Sequence, residues 1–143
     1  MIVIYVDDIL ISSNNTMLQD KLLRSMGESF KLLILGQAKW ILGMQVSYSI
    51  NSSITIDQEK YLTEVLTRFG MENSKPVGTP AIQEERRDQE ETVTDQGEYL
   101  KLIGSLIYLL TVTCPDISFT VGKAGRAMAD PRQSDMVAGK RIL

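Results

Sequence analysis

The stretch IVIYVDDILIS, residues 2–12, places two adjacent carboxylates between two short apolar runs. Most of the apolar residues on both sides are β-branched, which is typical of strands, so the stretch predicts a β-hairpin whose arms are buried on at least one face. Asp tolerates tight-turn geometry, and the turn is the exposed part of a hairpin with buried arms. The pattern therefore predicts that Asp7 and Asp8 are presented together at the turn.

Neighbouring carboxylates on a turn repel each other, and a divalent cation held between them relieves that repulsion. Hard oxygen ligands suit Mg²⁺ or Mn²⁺ better than zinc. Two such ions about 3.5–4 Å apart can stabilise the attacking and the leaving oxygen of a phosphoryl displacement. The alternative for an isolated Asp-Asp pair is a polar turn without a metal, and that alternative is the more frequent one. The rest of the chain decides between the two interpretations.

The composition describes one domain-sized globular protein without zinc or cysteine chemistry. The 143 residues are 43% hydrophobic and 23% charged, which is ordinary for a soluble protein. One cysteine, Cys114, and no histidine exclude an internal disulfide, a Cys/His metal cluster and a histidine-based triad. No membrane span or signal peptide is evident, so a soluble, intracellular location is expected. The net charge of −3 counts modestly against nucleic-acid binding, because Lys and Arg carry that affinity.

Hydrophobic periodicity predicts a helix and a second hairpin after the first. A helix is expected over residues 17–26, capped by Asn15 or Thr16 and stopped by Gly27. Its apolar stripe is expected to be core, and consists of Leu18, Leu22, Leu23 and Met26. Polar and apolar residues then alternate over 44–49, and residues 54–56 follow a turn, which predicts a pair of strands.

The second half of the chain predicts mainly helices. Asp57 is expected to cap a helix that ends at Gly70. Residues 81–96 are polar and charged, and are interpreted as a surface loop or linker and as the best candidate for an internal boundary. The broad apolar face over 99–110 predicts a helix buried on most sides. A further helix is expected after Pro115 along Ile117, Val121, Ala124 and Met128, then a break at Asp130-Pro131 and a helix capped by Ser134 or Asp135.

With these elements placed, the chain resembles the reverse transcriptases, and among them the copia-type (Ty1/copia) retrotransposon polymerases. YxDD alone is a weak signal, whereas an ordered series of motifs over nearly the whole chain is a strong one. The motifs that carry the resemblance are YVDD at 5–8, LGQAKWILGMQV at 35–46, ITIDQEKYLTEVLTRFGM at 54–71, KPVGTP at 75–80, YLKLIGSLIYL at 99–109, PDISFTV at 115–121 and KRIL at 140–143.

The resemblance implies a catalytic role for the first hairpin. Asp7 and Asp8 would bind the two metal ions, Mg²⁺ or Mn²⁺, that serve nucleotidyl transfer. Tyr5 would contact the template-primer or the nucleotide. The partners of the parent enzyme would be an RNA or DNA template-primer and deoxynucleoside triphosphates, and no membrane partner is expected.

The resemblance also assigns a primer grip, the hairpin that holds the primer's 3′ end. Its primer-facing residues would be Trp40, Leu42, Gly43 and Met44. For Trp40, a buried strand aromatic is an equally good interpretation. Lys60 and Arg68 are possible phosphate contacts of a thumb, although for each a solvated surface charge is the better interpretation.

The implied architecture is α+β: a partial polymerase palm with its catalytic and primer-grip hairpins, followed by thumb and connection helices. The expected divisions are residues 1–56 for the palm part and 57–80 for a thumb-like helix and an extended segment. A charged loop or linker follows at 81–96, and a truncated helical connection region at 97–143.

Several departures from the family's pattern favour a truncated, degenerate copy. The family's further metal-binding aspartate and its basic fingers precede YxDD and are not present in this sequence. Cys114 stands where an arginine usually precedes PDI, and Asp135 stands where a histidine is usual. The fragment alone is therefore expected to be inactive. Two alternatives remain open: a non-catalytic helical binding or scaffold module, and a half-palm that does not fold stably. The oligomeric state is unknown.

Overall fold

The computed structural model describes residues 1–50, 53–81 and 92–143, which fall into two compact units, Met1–Thr55 and Ile56–Leu143. Strands and one helix make up the first unit, and helices dominate the second. The expected α+β class is confirmed at this level. Among the described residues, none of the helices has the length and apolar character that crossing a membrane requires.

Two small antiparallel sheets form from the predicted strands. Strands β1 (Ile2–Tyr5) and β2 (Asp8–Ile11) pair in a two-stranded sheet. Strands β3 (Trp40–Ile41), β4 (Met44–Tyr48) and β5 (Ile54–Asp57) form the second sheet in the order β3-β4-β5. Both predicted strand pairs are confirmed, and β3 adds one more strand. The boundary between the two units falls within β5.

Helix α1 (Thr16–Ser29) begins where the sequence predicted and ends later. Asn15 is its N-cap, with Oδ1 accepting a hydrogen bond from the backbone N–H of Leu18 at 3.1 Å. The predicted stop at Gly27 is wrong, because a glycine ends a helix by adopting positive φ and Gly27 does not do so. The predicted core role is also wrong, since α1 has no buried residue and Leu18 is 62% exposed.

No described residue of the first unit is buried. All four residues of β1 are exposed, so the expectation that the hairpin arms are buried on one face is wrong. β-Branched residues favour extended backbone whether or not another element covers them, which explains why the strands themselves were predicted correctly. A two-stranded ribbon cannot bury its own side chains, because that requires a further strand or a packed helix.

The second unit begins with helix α2 (Glu59–Arg68), which ends in a glycine cap. Gly70 has a φ of +66°. The backbone N–H of Met71 donates to the carbonyl of Leu66 at 2.8 Å, and that of Gly70 donates to the carbonyl of Thr67 at 3.1 Å. These are the two hydrogen bonds of a Schellman motif. The predicted helix end at Gly70 is confirmed.

The core of the second unit surrounds helix α3 (Gln96–Val112). A 3-10 turn (Pro115–Ile117), helix α4 (Ser118–Gly125) and helix α5 (Gln133–Lys140) pack against α3. The core consists of Val65, Phe69, Tyr99, Leu102, Ile103, Leu106, Leu109, Val121, Ala127 and Met136.

Helix α3 is less enclosed than its composition predicted. Leu100 is 39% exposed and Ile107 is 43% exposed, so the expectation of burial on most sides is wrong for this face. On the buried side of α3, the Tyr99 hydroxyl donates to the carbonyl of Ala124 in α4 at 2.7 Å. The breadth of an apolar face does not reveal how many neighbouring elements cover it.

A buried glutamine joins the start of α2 to the end of α3. Gln58 is 4% exposed, its Nε2 donates to the carbonyl of Tyr108 at 3.3 Å, and its Oε1 accepts from the hydroxyl of Thr113 at 2.6 Å. Gln58 is also the N-cap residue of α2, in place of the predicted Asp57. Asp57 supports the same turn, because its carboxylate accepts from the N–H of Glu59 at 3.3 Å.

The predicted break at Asp130-Pro131 separates α4 from α5, as expected. The N-cap of α5 is Arg132, so the prediction of Ser134 or Asp135 in that position is wrong. Asp135 lies in the first turn instead, where its carboxylate accepts from the backbone N–H of Arg132 at 2.8 Å.

Both flanks of the predicted charged loop are attached to the helical unit. Before the loop, Arg141 Nε donates to the carbonyl of Thr79 at 3.1 Å. Within its last residues, 92–96, the N–H of Gln133 donates to the carbonyl of Thr92 at 3.1 Å. Residues 82–91 of the loop lie outside the described residues, and the division between the two units falls at Thr55 instead.

Candidate functional site

Asp7 and Asp8 occupy different positions at the bend of the first hairpin. Tyr5 pairs with Asp8, so Val6 and Asp7 form the two-residue turn and Asp8 begins β2. The prediction that both carboxylates belong to the turn is therefore wrong for Asp8 by one residue. Both are exposed, and no described residue forms a salt bridge with either. A cation from solvent can reach both carboxylates without displacing a basic partner.

Within this turn, the backbone of Val6 has a strained conformation. Val6 has a φ of +50°, whereas Asp7 is not among the residues with positive φ. Positive φ at the first turn position alone is the pattern of a type II′ turn, in which glycine is usual. A β-branched residue there is a conformational outlier that costs about 1–3 kcal/mol. Val6 is a site residue that was not predicted from the sequence, although the two-residue gap between the apolar runs is a signal that indicates the turn containing it.

Tyr5 lies directly beside the second carboxylate. Directly opposite residues of an antiparallel pair share one face, with their Cβ atoms about 4.5–5.5 Å apart, and Tyr5 is the partner of Asp8. Tyr5 is 60% exposed. Its ring is thus available to a ligand that approaches Asp8.

The second hairpin turns at the residues predicted to face a primer. Leu42 has a φ of +50° and Gly43 a φ of +79°, and positive φ at both positions is the requirement of a type I′ turn. Trp40 is 50% exposed, so the alternative of a buried strand aromatic is wrong. Leu42 and Gly43 are exposed at the tip and Met44 is half-buried. The predicted contact residues thus form a surface around one tight turn.

The structure divides the predicted site residues between two sheets. Tyr5, Asp7 and Asp8 belong to the β1-β2 sheet, and the other four belong to the β3-β4-β5 sheet. Within residues 1–50, 53–81 and 92–143, no group of three or more His, Cys, Asp or Glu side chains could hold a metal. Two exposed carboxylates still fit Mg²⁺, which proteins commonly bind through one or two carboxylates together with substrate phosphates and water.

The two cations predicted as possible thumb contacts lie on α2. Lys60 is exposed near the start of the helix. Arg68 is exposed at its end and its Nη1 is 3.5 Å from the hydroxyl of Ser105 in α3. The role of either cation toward phosphate stays a prediction.

Residues 1–83 match the family model described as "Reverse transcriptase (RNA-dependent DNA polymerase)". The chain belongs to the reverse transcriptase family. The match includes the YVDD hairpin, the β3-β4-β5 sheet and α2.

The similar proteins include two transposon polyproteins. The chain is 36% identical over 152 residues to the retrovirus-related Pol polyprotein from transposon TNT 1-94 of Nicotiana tabacum. It is 32% identical over 142 residues to the corresponding polyprotein from transposon RE1 of Arabidopsis thaliana. These alignments cover 100% and 98% of the chain but only 11% and 10% of the polyproteins. The copia-type resemblance is confirmed, and by family the chain is a fragment of an RNA-directed DNA polymerase.

A third relative is closer in size. An uncharacterised mitochondrial protein of Arabidopsis thaliana is 30% identical over 143 residues, which cover 99% of the chain and 59% of that protein. No solved structure matches the chain.

Proposed function

We propose that the first hairpin is the metal-binding element of a copia-type reverse transcriptase palm and that the β3-β4 hairpin is its primer grip. One observation carries the proposal: Asp7 and Asp8 are exposed at the strained bend of an antiparallel hairpin in a chain of this family. On this reading, residues 57–80 contribute to a thumb and residues 97–143 to a connection region.

The carboxylates of Asp7 and Asp8 would hold Mg²⁺ or Mn²⁺, with the remaining ligands supplied by water and phosphate oxygens. Bound divalent ions supply the positive charge that lowers the pKa of the primer 3′-hydroxyl and neutralises the departing pyrophosphate. The strained turn fixes the first carboxylate at the tip and the second at the start of a strand. Tyr5, opposite Asp8, would position the template-primer or the incoming nucleotide.

The second hairpin would position the primer strand. Gly43 has no side chain at the tip of the turn, so a sugar-phosphate backbone can approach the peptide closely. Trp40 and Leu42 present apolar surface beside it. The ligands of the whole enzyme would be an RNA or DNA template-primer and deoxynucleoside triphosphates. We expect no polymerisation by this chain alone, because the described residues supply two clustered carboxylates and no third.

Metal titration tests the role of the first hairpin. The wild-type chain is expected to bind Mn²⁺, and the Asp7→Asn/Asp8→Asn double variant is expected to lose that binding. Each single variant should weaken binding at least about tenfold, because hard-cation affinity depends on the number of anionic ligands. Titration calorimetry or the electron paramagnetic resonance of free Mn²⁺ gives the affinity.

The matched control is Asp20→Asn, which removes an exposed carboxylate of α1 and should leave Mn²⁺ affinity unchanged. Equal Mn²⁺ binding by the wild type and the double variant would contradict the proposal. That result would favour the non-catalytic helical module, an alternative that has support in the confinement of the hydrophobic core to Ile56–Leu143.

A further inference from the structure

Helix α4 has two faces of opposite character. Val121 is buried in the core, and Ala124 packs against it. An α-helix turns by 100° per residue, so Phe119, Lys123 and the C-cap residue Arg126 lie on the side opposite Val121, and Gly122 lies at the edge of that side. We call these four residues the α4 face. All four are exposed.

Phe119 is the residue of this face that the fold does not explain. It is 78% exposed, more than any other large hydrophobic residue described in the helical unit. One helical turn further on, a Cβ added to Gly122 would meet no atom within 4 Å. An aromatic ring and an open stretch of backbone therefore lie side by side on the surface.

The charge around the α4 face is positive. Residues 117–129 contain two basic side chains and no acidic one, and the nearest acidic residues along the chain are Asp116 before them and Asp130 after them. Residues 82–91 hold five acidic and two basic side chains, which account for the whole net charge of −3. The remainder of the chain has 13 acidic and 13 basic residues, so the net negative charge comes from residues 82–91 and not from the residues of α4.

We propose that the α4 face binds a single strand of nucleic acid, with one base stacked on Phe119 and the phosphates bound by Lys123 and Arg126. Aromatic rings bordered by cations are the usual means of binding single strands, since every base has a π-face and every nucleotide a phosphate. Residues three and four apart on a helix are about 5–6 Å apart at Cβ, so a short segment of one strand can contact all three side chains.

This inference rests on the proposed function and deepens it. It adds a second contact with the template or primer strand, and that contact lies outside residues 1–83 that match the family model. It requires neither a metal ion nor the two hairpins. Binding measured without divalent ions therefore separates the α4 face from the metal-binding hairpin.

The experiment uses the full chain and a fluorescein-labelled oligothymidylate of about 20 nucleotides, longer than the usual sites of about 4–16 nucleotides. Fluorescence anisotropy in EDTA gives the affinity at several salt concentrations. Phe119→Ala is expected to weaken binding at least about fivefold, the loss typical of one stacked base. Lys123→Ala and Arg126→Ala should each lower the slope of log affinity against log salt by about 0.7.

Matched controls come from α3. Ile107→Ala removes an exposed apolar side chain and Lys101→Ala an exposed cation, and both should leave the affinity unchanged within about twofold. A second readout detects stacking directly. The Phe119→Trp variant should retain binding, and the fluorescence that it adds to that of Trp40, obtained as the difference from the wild type, should be quenched by bound oligothymidylate.

Each contrary outcome has a distinct meaning. No binding in EDTA, or equal losses for Phe119→Ala and Ile107→Ala, would overturn the inference. Binding that is lost with Asp7→Asn/Asp8→Asn but not with the α4 variants would also overturn it and leave the proposed metal site standing. Conversely, α4-dependent DNA binding in a chain without Mn²⁺ affinity would sustain the inference while contradicting the proposed catalytic hairpin. Association through Phe119 with a protein instead of the oligonucleotide would likewise contradict it.

Discussion

Val6 and Leu42 both have a backbone conformation that residues with a Cβ atom disfavour. Each has a φ of +50° at the tip of a hairpin. Asn and Gly are the residues that adopt such angles readily, and other L-residues pay about 1–2 kcal/mol. Residues with strained backbone conformations cluster at active sites and ligand-binding sites. Both turns carry residues that the proposed function assigns to metal or primer binding.

The cost of the Leu42 conformation can be measured by Leu42→Asn. Asn-Gly is the preferred pair of a type I′ turn, so the substitution should stabilise the β3-β4 hairpin by about 1 kcal/mol. The reporter is the backbone N–H of Val46, which donates to the carbonyl of Lys39 at 2.8 Å. Its protection from hydrogen exchange, followed by nuclear magnetic resonance, should rise about fivefold.

The control is Leu35→Asn, because Leu35 is 82% exposed and has no positive φ. It should leave the protection of Val46 unchanged. Lower protection in Leu42→Asn would mean that contacts of the leucine side chain outweigh its backbone strain.

Helix α5 depends on a glycine for its approach to α3. A Cβ at Gly139 would lie 2.9 Å from Cδ2 of Leu102 and 3.7 Å from Cε2 of Tyr99. Both of those side chains are fully buried, so they have little room to move away. On α3 itself, Gly104 faces open space, since a Cβ there would meet nothing within 4 Å. A side chain would therefore clash with the core at Gly139, whereas it would meet no other atom at Gly104.

Gly139→Ala should destabilise the helical unit by about 1–3 kcal/mol, because overpacking outweighs the better helix propensity of alanine. Gly104→Ala, the control, should stabilise it by about 0.8–1 kcal/mol, because only the propensity changes. Urea unfolding followed by circular dichroism measures both. Stabilisation by both substitutions would show that α5 lies farther from α3 than the structure has it.

At the scale of the whole molecule, the two units differ in how much hydrophobic core they have to stabilise them. Every buried hydrophobic residue that the structure describes belongs to Ile56–Leu143, whereas Met1–Thr55 has no buried residue in its described part. The helical unit therefore has its own core. The strands of the first unit rely on backbone hydrogen bonds and on pairs of exposed side chains, which alone make a marginal structure.

Hydrogen exchange of the intact chain should reveal two stability classes. Amides of Leu102, Ile103 and Leu106 should exchange only through global opening of the helical unit, and amides of β1 and β2 through local opening at a cost near zero. Gly139→Ala should speed exchange in α3 and leave the first hairpin unchanged. Parallel changes in both places would contradict the division and indicate one cooperative unit.

Local sequence signals predicted the elements, including the hairpin that carries Asp7 and Asp8. β-Branched runs indicated the strands, Asn15 and Gly70 marked helix ends, and YVDD indicated the hairpin that presents Asp7 and Asp8. The predictions failed where burial was the question. The stripe of α1 and the arms of β1-β2 have the residue types of a core, but no described element covers them.

The sequence by itself determined the order of strands and helices, the acidic hairpin bend and the reverse transcriptase family, because each depends on residues adjacent in the chain or on an ordered series of motifs. Only the tertiary structure decided that Gln58 is buried between α2 and α3, that Gly139 allows α5 to approach the core, and that Phe119 is exposed. The physical reason is that burial and polar partnership depend on residues far apart in sequence. Gln58 forms hydrogen bonds with Tyr108 and Thr113, and Gly139 lies against Leu102, only when the chain is folded.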